Sequence, residues 1–285
     1  MTIPPVVFDA QELHHRVATW KKQGLSVAFV PTMGSLHEGH KALVRAASAQ
    51  ADRVVVSIFV NPLQFGVGED FGSYPRGLDA DKHFLSDTDT DVVFAPTPAE
   101  IYPAGADDTA QVLAGPVGKV FEGHARPGHF DGMLTVVARL LEIVAPGRVI
   151  MGRKDAQQMF LVQEMVEREG LRCAVIPVDT VRDSDGLALS SRNAYLSIKD
   201  RVIAGAIPRA LEAAVHTDSL EQALARSREE LQADPALVLD YLSVVDPATF
   251  TPLKREVAGG EGLMIVAAKV GTTRLIDNTR LTFGH

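Results

Sequence analysis

Short apolar runs recur through the first two thirds of the chain, at residues 27–30, 54–60, 92–95, 149–151 and 173–178. Helix-patterned stretches lie among them, at 41–50, about 78–85, 132–144 and 156–169, and an opening helix over 9–23 ends at Gly24. Runs this short and continuously apolar read as strands buried on both faces, and strands that alternate with helices form a parallel sheet covered on both sides. The expected fold is therefore α/β, a Rossmann-like doubly wound parallel sheet. Ligands of such sheets sit outside the carboxyl ends of the strands. The segments richest in chemistry begin there, at Pro31, Asn61, Gly152 and Arg182.

After Asn193 the texture changes. Residues 199–216 and 220–233 read as two amphipathic helices, followed by strand-like runs at 238–245, 263–270 and 274–277 separated by Pro and Gly. Helices followed by antiparallel-looking strands suggest a smaller C-terminal α+β domain. The boundary falls near 182–193, giving expected domains of 1–185 and 186–285. With 285 residues, 46% of them hydrophobic, the chain can fill both cores. Its net charge of −8 is spread among interspersed acids and bases, so no basic face for nucleic acid is evident. A lone cysteine, Cys173, rules out an internal disulfide and reads as a buried thiol. No signal-peptide pattern and no membrane-length apolar run is visible, and a cytoplasmic location is expected.

The segment after the 27–30 strand is Pro31-Thr32-Met33-Gly34-Ser35-Leu36-His37-Glu38-Gly39-His40. It joins a strand, a glycine-containing turn and a helix start, whose free N–H groups and positive dipole end suit anions. His37 and His40 share a face of the first helical turn. Three readings stay open on these residues alone. Zinc is one, although its His-Glu-x-x-His signature spaces the ligands four apart and has no glycine between them. A turn with histidines bonded to backbone is the second. The third is nucleotide binding, with imidazoles donating to phosphate oxygens as charge moves onto them.

The segment resembles the His-x-Gly-His signature of the nucleotidylyltransferase superfamily. The longer string is similar to that of one family within it, the pantothenate synthetases, which usually carry Ala where this chain has Ser35. Phe59-Val60-Asn61-Pro62-Leu63-Gln64-Phe65 reads by itself as an Asn-Pro turn, but resembles the family's Phe-Val-Asn-Pro-x-Gln-Phe. Gly152-Arg153-Lys154-Asp155-Ala156-Gln157-Gln158 reads as a charged helix cap and resembles Gly-x-Lys-Asp-x-Gln-Gln. The run from Arg182 to Asn193 reads as a polar linker. Its Asp185-Gly186-Leu187-Ala188 and Ser190-Ser191-Arg192-Asn193 resemble the family's corresponding string. Strings at 245–247 and 270–278 extend the likeness over nearly the whole chain.

The resemblance implies ATP-dependent condensation of pantoate with β-alanine through a pantoyl adenylate. His37, His40 and Lys154 take the catalytic roles. Met33, Gly152, Asp155, Val181, Ser190, Ser191 and Arg192 join them on ATP. Gln64 and Gln158 hold pantoate. Asn61, Tyr74, Glu122, Arg126 and His129 belong to the pantoate and β-alanine side, the last three also being candidates for supporting or dimer-contact roles. Mg²⁺ accompanies ATP, with Asp81 as a candidate ligand, and a homodimer is expected. Two other readings remain at this point: a nucleotidylyltransferase acting on another acceptor, and a non-catalytic nucleotide-binding regulator.

Overall fold

The computed structural model describes residues 2–66, 69, 71–72, 74–106, 108–255 and 259–284. Two compact units divide the chain: Met1–Gly152 with Gln158–Val178, and Arg153–Gln157 with Asp179–His285.

The first part of the chain runs β1 (Val6–Val7), α1 (Ala10–Lys22), β2 (Val27–Thr32), α2 (Glu38–Ser48), β3 (Arg53–Ile58), α3 (Leu78–Phe84), β4 (Val92–Phe94), α4 (Pro98–Ile101), α5 (Glu122–Ala125), α6 (His129–Val144), β5 (Arg148–Gly152), α7 (Ala156–Arg168) and β6 (Ala174–Val178). The six strands form one sheet in the order β1-β4-β3-β2-β5-β6, and every pairing is parallel. Successive strand residues point to opposite faces. Ala28 and Val30 pack with Val54, Val56, Ile150 and the α2 residues Val44 and Ala47. Phe29 and Val55, one position along, are fully buried on the other face. Burial on both faces is why these strands read as unbroken apolar runs.

From β2 the chain builds outward through β3 and β4 in one direction, and β5 and β6 lie on the other side. The order therefore switches between β2 and β5, which pair at Ala28–Arg148 and Phe29–Val149. The carboxyl ends of these two strands carry the histidine segment and Gly152. A crevice at such a switch point is where doubly wound sheets bind ligands.

Several details differ from the sequence reading. The strand expected over 27–30 continues through Pro31 and Thr32, which pair with Ser57 and Ile58. The helix expected from Lys41 starts at Glu38. The edge strand β1 has only two residues, too few to show periodicity. Cys173 precedes β6 and is half-buried, not buried, though desolvation still pushes its thiol up to about 11.

The second unit contains α8 (Ile198–Ala204), α9 (Ala206–Val215), α10 (Leu220–Gln232), β7 (Leu237–Val245), β8 (Glu261–Val270) and β9 (Thr273–Thr282). The strands form an antiparallel sheet in the order β7-β8-β9. One core joins Ile207, Leu211 and Leu231 of the helices to Val244, Met264, Val266 and Leu275 of the sheet. The single helix expected over 199–216 is two helices meeting at Gly205. Pro208 explains the break, because a proline lacks the N–H for the i−4 bond and its ring opposes the carbonyl of Ala204. In the first turn of α9 that missing N–H costs little.

Segments 153–157 and 179–185 belong to the second unit for identifiable reasons. Arg182 makes a two-pronged ion pair with the buried Asp277 of β9, at 2.5 and 3.0 Å. Asn278 Nδ2 donates to the carbonyls of Arg153 at 2.8 Å and Lys154 at 2.9 Å. Charge-assisted and bidentate bonds, such as the Arg182–Asp277 pair, are the strong ones.

Candidate active site

The turn at the end of β2 is built by backbone geometry. Gly34 has φ +83°, and Ser35 follows at φ +52°. A Cβ on Gly34 would meet Asp81 Oδ2 at 2.9 Å and Ile58 Cγ2 at 3.1 Å, so glycine is required for space as well as for φ. The strained Ser35 is held by Asp81, whose carboxylate accepts from the amides of Ser35 at 3.1 Å and Leu36 at 2.8 Å. Asp81 is only 4% exposed, and burial raises its pKa above the usual carboxylate range despite these bonds. Its contacts make it the anchor of the turn, with both oxygens already on backbone N–H groups.

The turn delivers His37 as the N-cap of α2. His37 Nδ1 accepts from the Gly39 amide at 3.2 Å, and His40 Nδ1 accepts from the His37 amide at 3.1 Å. This is a capping box with imidazoles in place of the usual Ser and Glu. The two rings lie 4.1 Å apart, inclined at 46°. Because each Nδ1 accepts a backbone N–H, each neutral ring carries its proton on Nε2. The cap thus sets the tautomer and makes Nε2–H the donor side of each ring.

After β3, Asn61 caps a short 3₁₀ turn, Pro62–Gln64, by accepting from the Leu63 amide. Gln64 is 7% exposed, and its Nε2 lies 2.8 Å from Met33 Sδ. The turn packs against α6 at Gly132, where any Cβ would intrude on the Leu63 carbonyl. Arg126 and His129 hold the same turn by its backbone. His129 Nδ1 donates to the Gln64 carbonyl at 2.7 Å, and its Nε2 accepts from Arg126 at 3.1 Å. Arg126 is clamped on Glu69 at 2.6 and 2.8 Å, which holds that carboxyl below its usual range. Glu69 was not among the residues expected from sequence, and an acid in a Gly-rich loop carries no signal of its own. Tyr74 is buried with its ring edge-on to Phe65, and Glu122 is buried at the start of α5. Gln158 is half-buried in the first turn of α7.

His129 is neutral by design. Burial, and secondarily the Arg126 charge, pushes its pKa down to about 4. An unfolded histidine titrates near 6.5. Between those values the unfolded chain binds a proton that the folded chain refuses. The contribution is therefore whole above pH 6.5 and is lost as pH falls through that window, to the extent of about 3 kcal/mol. The urea midpoint should drop between pH 7 and pH 4.5, and His129→Gln should flatten part of that drop. An unchanged slope in the variant would show that other groups carry it.

In the second unit, Arg153–Asp155 forms a 3₁₀ turn just past Gly152, held by Asn278 as described. Lys154 is largely covered, with Nζ 3.5 Å from Asp155 Oδ1. The Val181 carbonyl accepts from the Leu189 amide at 2.9 Å, closing the loop that leads into Ser190. Ser190 caps a 3₁₀ helix, Ser191–Tyr195, by accepting from the Arg192 amide. Asn193 Nδ2 ties this turn to the Ala188 carbonyl. Asn278 is the residue that sequence reasoning passed over here. It stood in a family-like string but its partner lies 124 positions away.

These arrangements can be set beside known proteins. The family model for pantoate-beta-alanine ligase matches residues 5–280. Pantothenate synthetase of Leifsonia xyli is 52% identical over 261 residues, covering 90% of this chain and 89% of its own. That of Acidothermus cellulolyticus is 51% identical over 258 residues, covering 88% and 84%. The crystal structure of pantothenate synthetase from Thermus thermophilus superposes with a TM-score of 0.88 at 44% identity, covering 96% of this chain and 98% of the other. The pantoate-beta-alanine ligase of Francisella tularensis, solved with beta-gamma ATP and beta-alanine, gives 0.79 at 33% identity, with 97% of each chain covered. On the match across residues 5–280 and on these relatives, the chain belongs to the pantoate–β-alanine ligase family.

Proposed function

We propose that the residues described above carry a two-step ligation. As a member of its family the chain joins pantoate to β-alanine at the expense of ATP. In the first step the pantoate carboxylate attacks the α-phosphorus of ATP, forming pantoyl adenylate and expelling pyrophosphate. In the second the β-alanine amine attacks the acyl carbon and AMP leaves. Neither step needs a protein nucleophile. The one thiol, Cys173, is held protonated by burial. Catalysis is then alignment and charge stabilisation.

The observation that carries this reading is the reciprocal cap of His37 and His40. It spends both Nδ1 atoms on backbone N–H groups and so sets two Nε2–H donors at a helix start, where phosphates bind. In our reading these donors meet phosphate oxygens. Lys154 adds a compact positive charge, with Met33, Gly152, Asp155, Val181, Ser190, Ser191 and Arg192 on the nucleotide. Gln64 and Gln158 bind pantoate, with Asn61, Tyr74, Glu122, Arg126 and His129 shaping that side.

Magnesium is proposed to arrive on the ATP phosphates. Among the described residues no three or more His, Cys, Asp or Glu side chains are grouped to hold a metal; Asp81, the candidate the resemblance offers, accepts the Ser35 and Leu36 amides and is proposed to meet the ion only through its remaining lone pairs. Mg²⁺ bound through substrate phosphates and water needs no protein cage. It would offset phosphate charge, and the donors named above act beside it. No described helix is long and apolar enough to cross a membrane. A cytoplasmic homodimer is part of the same proposal, and sedimentation equilibrium tests the dimer.

AMP release that requires pantoate and β-alanine together tests the function, and release without β-alanine would overturn it. In that assay Gln64→Ala and Gln158→Ala should each raise the KM for pantoate more than the KM for ATP. Each amide loses bonds to one substrate only. An equal or larger effect on ATP would place the glutamines on the wrong ligand.

A further inference from the structure

A chain of hydrogen bonds behind Gln64 decides which end of its amide faces a ligand. The Asn61 side chain has its own orientation settled by groups that cannot reverse. The Leu63 amide can only donate, and it meets Asn61 Oδ1 at 3.3 Å; the Gly132 carbonyl can only accept, and it takes Asn61 Nδ2 at 3.0 Å. Tyr102 reinforces this by donating its O–H to Asn61 Oδ1 at 2.7 Å. The second Nδ2 hydrogen of Asn61 then goes to Gln64 Oε1, at 3.3 Å. With Oε1 committed as an acceptor, Gln64 presents its Nε2 donors. Met33 Sδ stands beside them, a weak acceptor that a ligand oxygen would outcompete.

Tyr102 is suited to anchor such a relay. It is 2% exposed, and burial holds its phenol protonated well above the usual range, so the O–H is always available as a donor. Asn61 is 1% exposed, so its amide has no water to bond if the relay is disturbed. The turn itself cannot drift, because Gly132 packs directly on it and His129 holds the Gln64 carbonyl. What remains able to change is how firmly the two amides are held in their directions.

We propose that Tyr102 is a positioning residue for substrate binding: acting through Asn61, it orients the Gln64 amide so that N–H, not C=O, meets an oxygen of pantoate. This rests on the assignment of Gln64 to pantoate. Without the phenol, Asn61 Oδ1 keeps one long bond, and the Asn61 amide, still directed by Leu63 and Gly132, holds Gln64 Oε1 less firmly.

The test is a double-mutant cycle of Tyr102→Phe and Gln64→Ala, read by KM for each substrate, kcat and melting temperature. Phenylalanine keeps the ring and removes one buried hydrogen bond. Tyr102→Phe should raise the pantoate KM by about three- to tenfold, the weight of one such bond. The ATP KM and kcat should stay within about twofold. In the Gln64→Ala background the same substitution should add nothing, because there is no amide left to orient. An undiminished effect in that background would overturn the proposal, since Tyr102 would then be supporting the pocket generally. So would a fall in melting temperature accompanied by equal losses for both substrates. A normal pantoate KM in Tyr102→Phe, with Gln64→Ala impaired, would sink the relay and leave the Gln64 assignment standing. A normal pantoate KM in Gln64→Ala itself would remove both.

Discussion

His37→Ala and His40→Ala should each slow adenylate formation by ~10²–10³, the usual cost of losing one donor aimed at developing negative charge. In free energy of activation that is about 3–4 kcal/mol. The same substitutions also remove a helix cap, because each imidazole accepts a backbone N–H of the first turn. A lost cap costs about 1 kcal/mol, which in a chain of this size moves the melting temperature by only about 2–4 °C. The two effects are therefore separable. The variants should remain folded at assay temperature while pyrophosphate release collapses. Near-normal turnover in both would show that the capping box is merely structural. A more informative variant is His→Asn at either position, which can still accept the backbone N–H but does not reach as far. It should recover the melting temperature without recovering the rate.

Lys154→Ala should damage the first chemical step while leaving the fold intact. Lys154 is mostly covered, and it sits on a turn whose backbone is held by Asn278, so its stem is well placed before any ligand arrives. Its salt bridge to Asp155 is long, at 3.5 Å, and contributes little to stability. If the ammonium acts mainly in the transition state, kcat and kcat/KM for ATP fall together; if it only binds ground-state ATP, KM rises alone. Supplying preformed pantoyl adenylate gives the sharper comparison. The variant should then make pantothenate from β-alanine much faster, relative to the unaltered protein, than it performs the whole reaction. Equal defects in the two assays would mean that Lys154 is not specific to adenylation.

Much of this is legible in the chain itself. Val27–Val30 and the other apolar runs read as strands buried on both faces, and strands alternating with helices wind in parallel. His37, His40, Gln64, Lys154 and Ser190–Asn193 stand out by their resemblance to the family's motifs, whereas the turn at Gly34 and the helix start after it are local and readable. Even the break at Gly205 could have been read locally, because Pro208 forbids an unbroken helix through Ala204. Those features depend on residues within a few positions of one another, where dihedral preference, periodicity and capping act.

The tertiary structure alone decided how those residues are held. Glu69 reaches Arg126 across 57 positions, Asp81 reaches the Ser35 turn across 46, and Asn278 reaches the Lys154 carbonyl across 124. Asp81 and Asn278 lie in family-like strings, but nothing local to any of the three shows what it holds, since a lone carboxylate or amide is equally at home on the surface. Tyr102 carries no motif of its own, and Gly132 reads as a residue in a helix. Each became meaningful once α6 was laid against the Asn61–Gln64 turn. The sequence by itself determined the main strands and helices, and its family likeness points to the groups proposed to meet phosphate and carboxylate. Folding determined their tautomer, their amide direction and their protonation, because those depend on which buried donor or acceptor stands opposite, and for Asn61 and His129 that partner comes from a distant part of the chain.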